Sequence, residues 1–292
     1  MSGDRSKMLF ISPGLIVLVA IILFPLLFTI RVSFSDWDVA RPGLDWIGAT
    51  NYLRLAHDAR FWESFGRLAL MAVGSVLLQY LLGFGLALLV WREVRARRFF
   101  RVLFLIPMMT TPVIMAVIWR TMFHESLGPV NDLVRLLGFA PLPWLSQSGL
   151  AMTSIIIVEV WQWTPFMFLM LLAGLMSLPR EPFLAAAIDG AGPVRTFLRV
   201  TFPMMAPISI GAIIIRLIEA SKILDSVYVI TSGGPGTATE TSSYYIFIRG
   251  LRDFQVGYAA ALSFTYLVIM AISLTIIAKV LARVMLVRDH AA

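Results

Sequence analysis

SLPREPFLAAAIDGAGPVRTFLRVTFPMMAP, residues 177–207, decides how this chain is read. Long apolar runs flank it, yet it holds the acids Glu181 and Asp189 and the arginines Arg180, Arg195 and Arg199. Ser177 is placed to cap a helix whose first turn carries Pro179, where a missing N–H does no harm. The run FLAAAI has high helix propensity. Gly190 is the residue best able to take the left-handed conformation that ends a helix. Pro193 then starts a second helix, in which Val194, Phe197, Leu198 and Phe202 are expected to share a face. Pro203 and Pro207 are expected to break or kink the entry to the next apolar run. The stretch therefore predicts two short helices joined by a glycine turn. Its three consecutive alanines give a smooth surface on which another protein can pack closely. The alternative is an amphipathic hairpin that tucks under its own bundle.

Working outward, the 292-residue chain is 59% hydrophobic and 14% charged, with mean hydropathy +0.85. Soluble domains carry roughly a quarter charged residues, so the expectation is an all-α membrane protein. A crossing helix needs about 20 mostly apolar residues. Six stretches qualify, at roughly 9–31, 66–91, 102–121, 150–176, 204–230 and 258–285. The fifth is the weakest, because it carries four charges. The first reads as a retained span, since it lacks the short core and cleavage site of a signal peptide. No polar stretch is long enough for a soluble domain, so residues 1–292 read as one transmembrane domain with the hairpin at 177–203 between spans four and five.

Orientation follows from Lys and Arg. The side holding both ends of the chain and the loops near 92–101 and 177–203 has thirteen basic residues and five acids. The other side has seven basic residues and nine acids. Both termini and the hairpin are thus expected in the cytosol, and WREVRARRFFR (91–101) reads as a positive-inside anchor. The net charge of +7 is accounted for by a membrane, with no call for nucleic acid. On the outer side, 128–147 reads as a surface amphipathic helix, and TSGGPGTATET (231–241) as a flexible turn containing Gly233, Gly234, Pro235 and Gly236. It lacks the lysine of a phosphate-cradling loop. There is no cysteine, and the three histidines lie in separate segments, so no metal site is expected.

Polar groups within a membrane are costly unless they meet a partner or a wet cavity. Two clusters qualify as a substrate pathway. EVWQWTPF contributes Glu159, Trp161, Gln162, Trp163 and Thr164. Indole faces suit the C–H faces of sugars, and the polar groups suit hydroxyls. The two tryptophans lie about 200° apart on a helix, so one is expected to face a pathway. The alternative is an interfacial tryptophan belt with a proline kink. RLIEASKILDSVY contributes Arg216, Glu219, Lys222 and Asp225, spaced by three with alternating sign. Neighbours can pair along the helix, so a charge ladder and a hydrophilic cavity wall both fit.

AAAIDGA with its trailing proline resembles the cytoplasmic loop of permease subunits in binding-protein-dependent ABC importers. Ala185, Ala186, Asp189, Gly190 and Ala191 match that family's loop in register, with Pro203 suiting its end. Leu184 stands where the family carries a glutamate, and Glu181, one turn earlier, is placed to substitute for it. The resemblance covers nearly the whole chain. SPGLIVLVAIILFPLLFTIRVSFSDWD, WIGATNYLRLAHDARFWES, EVWQWTPFMFLMLLAGLMSLP and SGGPGTATET are all similar to carbohydrate-type permeases of the maltose-importer kind. The resemblance implies a non-enzymatic permease in a bacterial-type inner membrane. Its partners would be a second related permease, two ATPase subunits that bind ATP and Mg, and an extracytoplasmic solute-binding protein. The 177–203 loop would be a coupling helix, and the GGPG loop would lie near the docked binding protein. The implied cargo is a sugar, oligosaccharide or polyol, with glycerol phosphate or a sulfosugar as the alternative. From other classes, a stand-alone secondary transporter or a membrane enzyme using Glu159 or Asp225 would be the rivals.

Overall fold

The computed structural model describes residues 2–40, 43–91 and 102–286. The expected anchor at 92–101 lies outside the described residues. Along the chain run α1 (Ser2–Ser33), α2 (Thr50–Ala56), α3 (Ala59–Trp91), α4 (Pro112–Met122), α5 (Pro129–Leu136), α6 (Ser148–Ser177), α7 (Glu181–Ile188), α8 (Pro193–Ala220), α9 (Ser242–Phe247) and α10 (Val256–Leu286). Among the described residues the only β-pairing is an isolated bridge between Ser35 and Trp46. Five helices, α1, α3, α6, α8 and α10, are long and apolar enough to cross a membrane. The protein is an all-α, multi-pass membrane protein.

Two expected spans differ from the structure. The stretch 102–121 is not one helix. Helical residues 102–105 give way to a 3-10 turn at Pro107–Met109, and α4 starts only at Pro112. A proline lacks an N–H and disfavours helical backbone in the residue before it; Thr111, before Pro112, sits extended at φ −64, ψ 140, whereas Ile106, before Pro107, stays helical at φ −51, ψ −45. The eleven residues of α4 rise about 16 Å, short of a bilayer core. The stretch 204–230 is also displaced. Its helix begins at Pro193 and stops at Ala220, and a short helical segment resumes at 225–231. The entry is distorted beside both prolines, as expected: a π-helical stretch at Phe197–Thr201 ends just before Pro203, and a turn at Met205 falls two residues before Pro207, ordinary ways for a helix to absorb a local misfit. At the 221–224 gap the freed carbonyls find hydroxyls. Ser243 Oγ donates to the Ser221 carbonyl at 3.2 Å, and Thr241 Oγ1 to that of Ile223 at 3.0 Å.

The chain divides into two compact units, 1–62 with 245–269 and 63–244 with 270–292. In the first, Asn51 donates to the carbonyls of Ser33 and Ser35, holding the turn after α1. Leu55, Phe61, Tyr245, Tyr258 and Leu262 form its core. Asp58 accepts hydrogen bonds from Tyr245 and Tyr258 and from the Phe61 N–H. Gly257 lies so close to the Ser35 carbonyl that a Cβ would come within 2.2 Å of it.

The second unit packs α3, α6 and α8. Phe84, Ala87, Val90, Phe168, Leu171, Leu172, Leu175 and Met205 make its main core. Glycines allow the helices to close: a Cβ on Gly83 would sit 2.7 Å from the Met167 Cβ, and one on Gly174 would sit 2.9 Å from Ile208. A second cluster joins Ala116, Phe123, Val158 and Ile230. Beside it, Asn131 of α5 is clamped by Leu142 and Trp144.

Candidate functional site

The two polar clusters read from sequence meet in one place. Arg216 of α8, 2% exposed, donates from NH2 to Glu159 Oε2 of α6 at 2.9 Å and from Nε to Gln79 Oε1 of α3 at 2.8 Å. Its guanidinium lies 4.8 Å from the centre of the Trp163 ring. The other Glu159 oxygen accepts from Ser226 Oγ at 2.9 Å, and Gln79 Nε2 donates to the Glu159 carbonyl at 2.9 Å. A buried ion pair is tolerable only when its remaining donors and acceptors are also satisfied, and this network supplies them across three helices and the restarted segment at 225–231.

The pair borders an open cavity of about 170 Å³, also lined by Pro112, Trp163, Glu219, Lys222, Asp225 and Ser226. Lys222 bridges Glu219 at 2.9 Å, and Asp225 is exposed at the cavity. The alternating-charge ladder is thus only partly realised within the helix. Arg216 turns away to α6, and the helix ends before Lys222 can be followed by Asp225 in register.

Of the EVWQWTPF residues, Glu159 and Trp163 reach the cavity, and the others do not line it. Trp161 packs edge-on against Trp119 at 5.6 Å and borders an apolar groove with Leu78, Leu82 and Leu103. Thr164 lines the same groove and donates to the Val160 carbonyl at 2.6 Å. Gln162 is buried and donates to the Thr110 carbonyl at 3.3 Å, at the break before α4. Gln79 and Ser226 were missed. Gln79 carried a signal, a lone amide amid the apolar VLLQYLLG; Ser226, a small hydroxyl after Asp225, carried little.

The 177–207 hairpin forms as two helices, with three local corrections. Ser177 does not cap α7; its hydroxyl donates to the Gly174 carbonyl within α6. The helix starts at Glu181, with Pro182 in its first turn. The second helix does not present one apolar face either. Phe197 and Phe202 pack on Phe84, while Val194 and Leu198 are exposed. Gly190 takes φ +68, and the Ala191 N–H closes on the Ala186 carbonyl at 2.9 Å. Leu184 and Ile188 stand 62% and 87% exposed, and Glu181, Ala185, Asp189 and Gly190 are exposed too. Ala186 is turned inward, and Ala191 is partly covered.

The GGPG turn, expected to be a flexible loop, carries hydrogen bonds across it. Thr239 Oγ1 donates to the Gly234 carbonyl at 2.8 Å and shares a hydrogen bond with Thr231 at 2.7 Å. Gly233 at φ +82 lies against the Tyr244 ring, where a Cβ would come within 2.7 Å. Pro235 follows a cis peptide bond, and Gly236 at φ +60 is exposed. Thr239, Glu240, Thr241 and Ser242 are buried behind the turn.

Residues 79–286 match the family model described as binding-protein-dependent transport system inner membrane component. The chain belongs to that family. Among its relatives, the trehalose/maltose transport system permease protein MalF of Thermococcus litoralis is 35% identical over 255 residues, covering 87% of this chain and 86% of the relative. The sulfoquinovosyl glycerol transport system permease protein SmoG of Agrobacterium fabrum is 34% identical over 264 residues, covering 89% and 85%. A crystal structure of a bacterial ABC transporter that imports the acidic polysaccharide alginate contains a chain of the same fold, with TM-score 0.82 at 20% identity, covering 96% of this chain and 97% of that one. This permease is a membrane subunit of an ABC importer, working with a solute-binding protein and ATPase partners in the inner membrane. Permeases of the family are not enzymes; ATP and magnesium bind the separate ATPase subunits, where hydrolysis occurs. Among the described residues no group of three or more His, Cys, Asp or Glu side chains is placed to hold a metal ion.

Proposed function

We propose that this permease passes a sugar, oligosaccharide or polyol through the cavity between α6 and α8, driven by an ATPase docked on the 180–202 hairpin. The hairpin carries the proposal: Leu184, Ile188, Val194 and Leu198 stand exposed on a segment joining two apolar spans. Exposed apolar side chains rimmed by polar residues mark a protein-binding surface. In this reading Glu181, Leu184, Ala185, Ala186, Asp189, Gly190 and Ala191 form or shape the ATPase contact, with Glu181 taking the part of the acid absent at Leu184. A sister permease completes a heterodimer above two ATPase copies. The chain crosses six times with both termini cytosolic, the third crossing being the broken stretch 102–122. Closure of the ATPases draws the hairpins together, the inner gate shuts, and the cavity opens to the binding protein, which docks near the 233–236 turn.

The polar network favours this over a passive structural span. A wet cavity with an indole, carboxylates and an ammonium suits hydroxyl-bearing cargo. The relationship to the sulfoquinovosyl glycerol permease supports a second reading, a sulfosugar or glycerol phosphate as cargo. Co-expression with the candidate ATPase and sister permease tests the assembly. The three are expected to co-purify, and Leu184→Asp should release the ATPase while leaving the two permeases together. Co-purification undisturbed by Leu184→Asp, or no ATPase at all, overturns the hairpin's role. Glu181→Ala with intact assembly and transport would remove Glu181 from it.

A further inference from the structure

The cavity holds three acids, Glu159, Glu219 and Asp225, and two bases, Arg216 and Lys222. Four of these five are committed to one another. Arg216 spends its Nε on Gln79 and its NH2 on Glu159 and lies against the Trp163 ring. Both Glu159 oxygens are used, by Arg216 and Ser226. Lys222 bridges Glu219. Asp225 has no hydrogen-bond or ion-pair partner among the described residues, and it is exposed at the cavity. Accepting the cavity as the cargo passage, we propose that Asp225 is its specificity-determining residue. The cargo it passes is uncharged or cationic, and anionic solutes are rejected.

The reason is what each solute would meet. An ionised carboxylate only accepts hydrogen bonds. Sugar hydroxyls and ammonium groups donate to it; a phosphate or sulfonate has no strong donor to offer and is repelled. Arg216 is not available to an anion, because withdrawing it would strand Glu159 as an unpaired buried charge. Lys222 is easier to free, since an exposed pair is weak. Freeing it, however, leaves the Glu219 carboxylate beside the solute, so the cavity still presents one surplus negative charge. Between Trp163 and Asp225 a polyol finds an indole for its C–H face and an acceptor for its hydroxyls. Relatives in this family bear names that specify trehalose/maltose and sulfoquinovosyl glycerol; the cargo expected here is uncharged like the former, not anionic like the latter.

A charge series on one ring tests the proposal. Glucosamine, glucose and glucose 6-phosphate are bound by equilibrium dialysis to the purified permease complex, without binding protein. Glucosamine is expected to bind at least as tightly as glucose, and glucose 6-phosphate, with nearly two negative charges at neutral pH, roughly tenfold or more weakly, at about fivefold per charge several ångströms away in a partly wet site. Asp225→Asn should flatten the series, and Asp225→Lys should reverse it. A flat wild-type series, whether all three bind or none does, overturns the proposal. So does tightest binding of glucose 6-phosphate, or a series that ignores both substitutions. Retention of the ATPase, scored on the same preparations, reports separately on the importer reading. Its loss would count against that reading, while the charge series still decides Asp225.

Discussion

Replacing Arg216 by Met removes one partner of the buried pair while roughly keeping side-chain volume. Among the described residues, Glu159, 5% exposed, would keep only Ser226 as a side-chain donor, and Gln79 Oε1 would lose the hydrogen bond from Arg216 Nε. Breaking a buried ion pair from one side costs about 3–5 kcal/mol, and an orphaned amide oxygen adds about 1–3 kcal/mol. Glu159→Gln alone strands the guanidinium and should cost about as much as the bare broken pair. The double variant Glu159→Gln/Arg216→Met leaves no buried charge. It should therefore be less destabilised than Arg216→Met alone. The assay is unfolding of the purified permease in mixed micelles of increasing SDS, followed by tryptophan fluorescence, as a double-mutant cycle. A coupling of about 2 kcal/mol or more is expected. Single costs that add to within about 0.5 kcal/mol would refute the claim that this pair bonds α6 to α8 as a unit.

Three further outcomes follow from the same geometry. Gly83→Ala should cost about 1–3 kcal/mol in that unfolding assay, because its Cβ would meet Met167 Cβ at 2.7 Å and the Phe168 backbone nitrogen at 2.9 Å; unchanged stability would show that α3 and α6 can separate freely. Trp163→Ala should lower transport at least tenfold, whereas Trp161→Ala should lower it less than threefold, since only Trp163 reaches the cavity; equal losses in uptake would contradict the assignment. Burial opposes the charged form of Asp58, but hydrogen bonds from Tyr245 and Tyr258, the Phe61 N–H and the nearby Arg249 prevail and hold its carboxyl below the ordinary 3.8. The folded protein then binds fewer protons there than the unfolded chain, so the stabilisation is present above pH ~4 and lost as pH falls through the folded value. The gap in unfolding temperature between wild type and Asp58→Asn should be full at pH 6 and close progressively below pH 4; a constant gap would exclude this linkage.

The helical architecture was legible because apolar length is a coarse property. Five of the six expected spans correspond to long helices, though the one placed at 204–230 runs from Pro193 to Ala220. The remaining one, 102–121, is interrupted rather than one continuous helix, because Thr111 before Pro112 takes extended backbone whatever the hydropathy of the stretch. The hairpin was legible from its turn chemistry: Gly190 and Pro193 act as their residue types require. Its capping was not, because Ser177 had a competing acceptor in the Gly174 carbonyl of the preceding helix. The polar clusters were legible as exceptions within apolar runs, but not their mutual pairing. Spacing by three suggested partners along α8, whereas desolvation favoured the cross-helix partner Glu159 for the most buried member, Arg216. Glycine content suggests a flexible turn at 231–241, but it cannot show the hydrogen bonds that Thr231 and Thr239 make across it.

The chain contains no cysteine, so a thiol placed in it is the chain's only labelling site. Leu224→Cys, at the cavity wall, tests the central claim directly in sealed vesicles carrying the assembled importer. The account predicts labelling by a membrane-impermeant maleimide from the cytosolic face without nucleotide, and from the outer face once the ATPases are trapped closed with ATP and vanadate. Labelling from the same face in both states, or from neither, would contradict it.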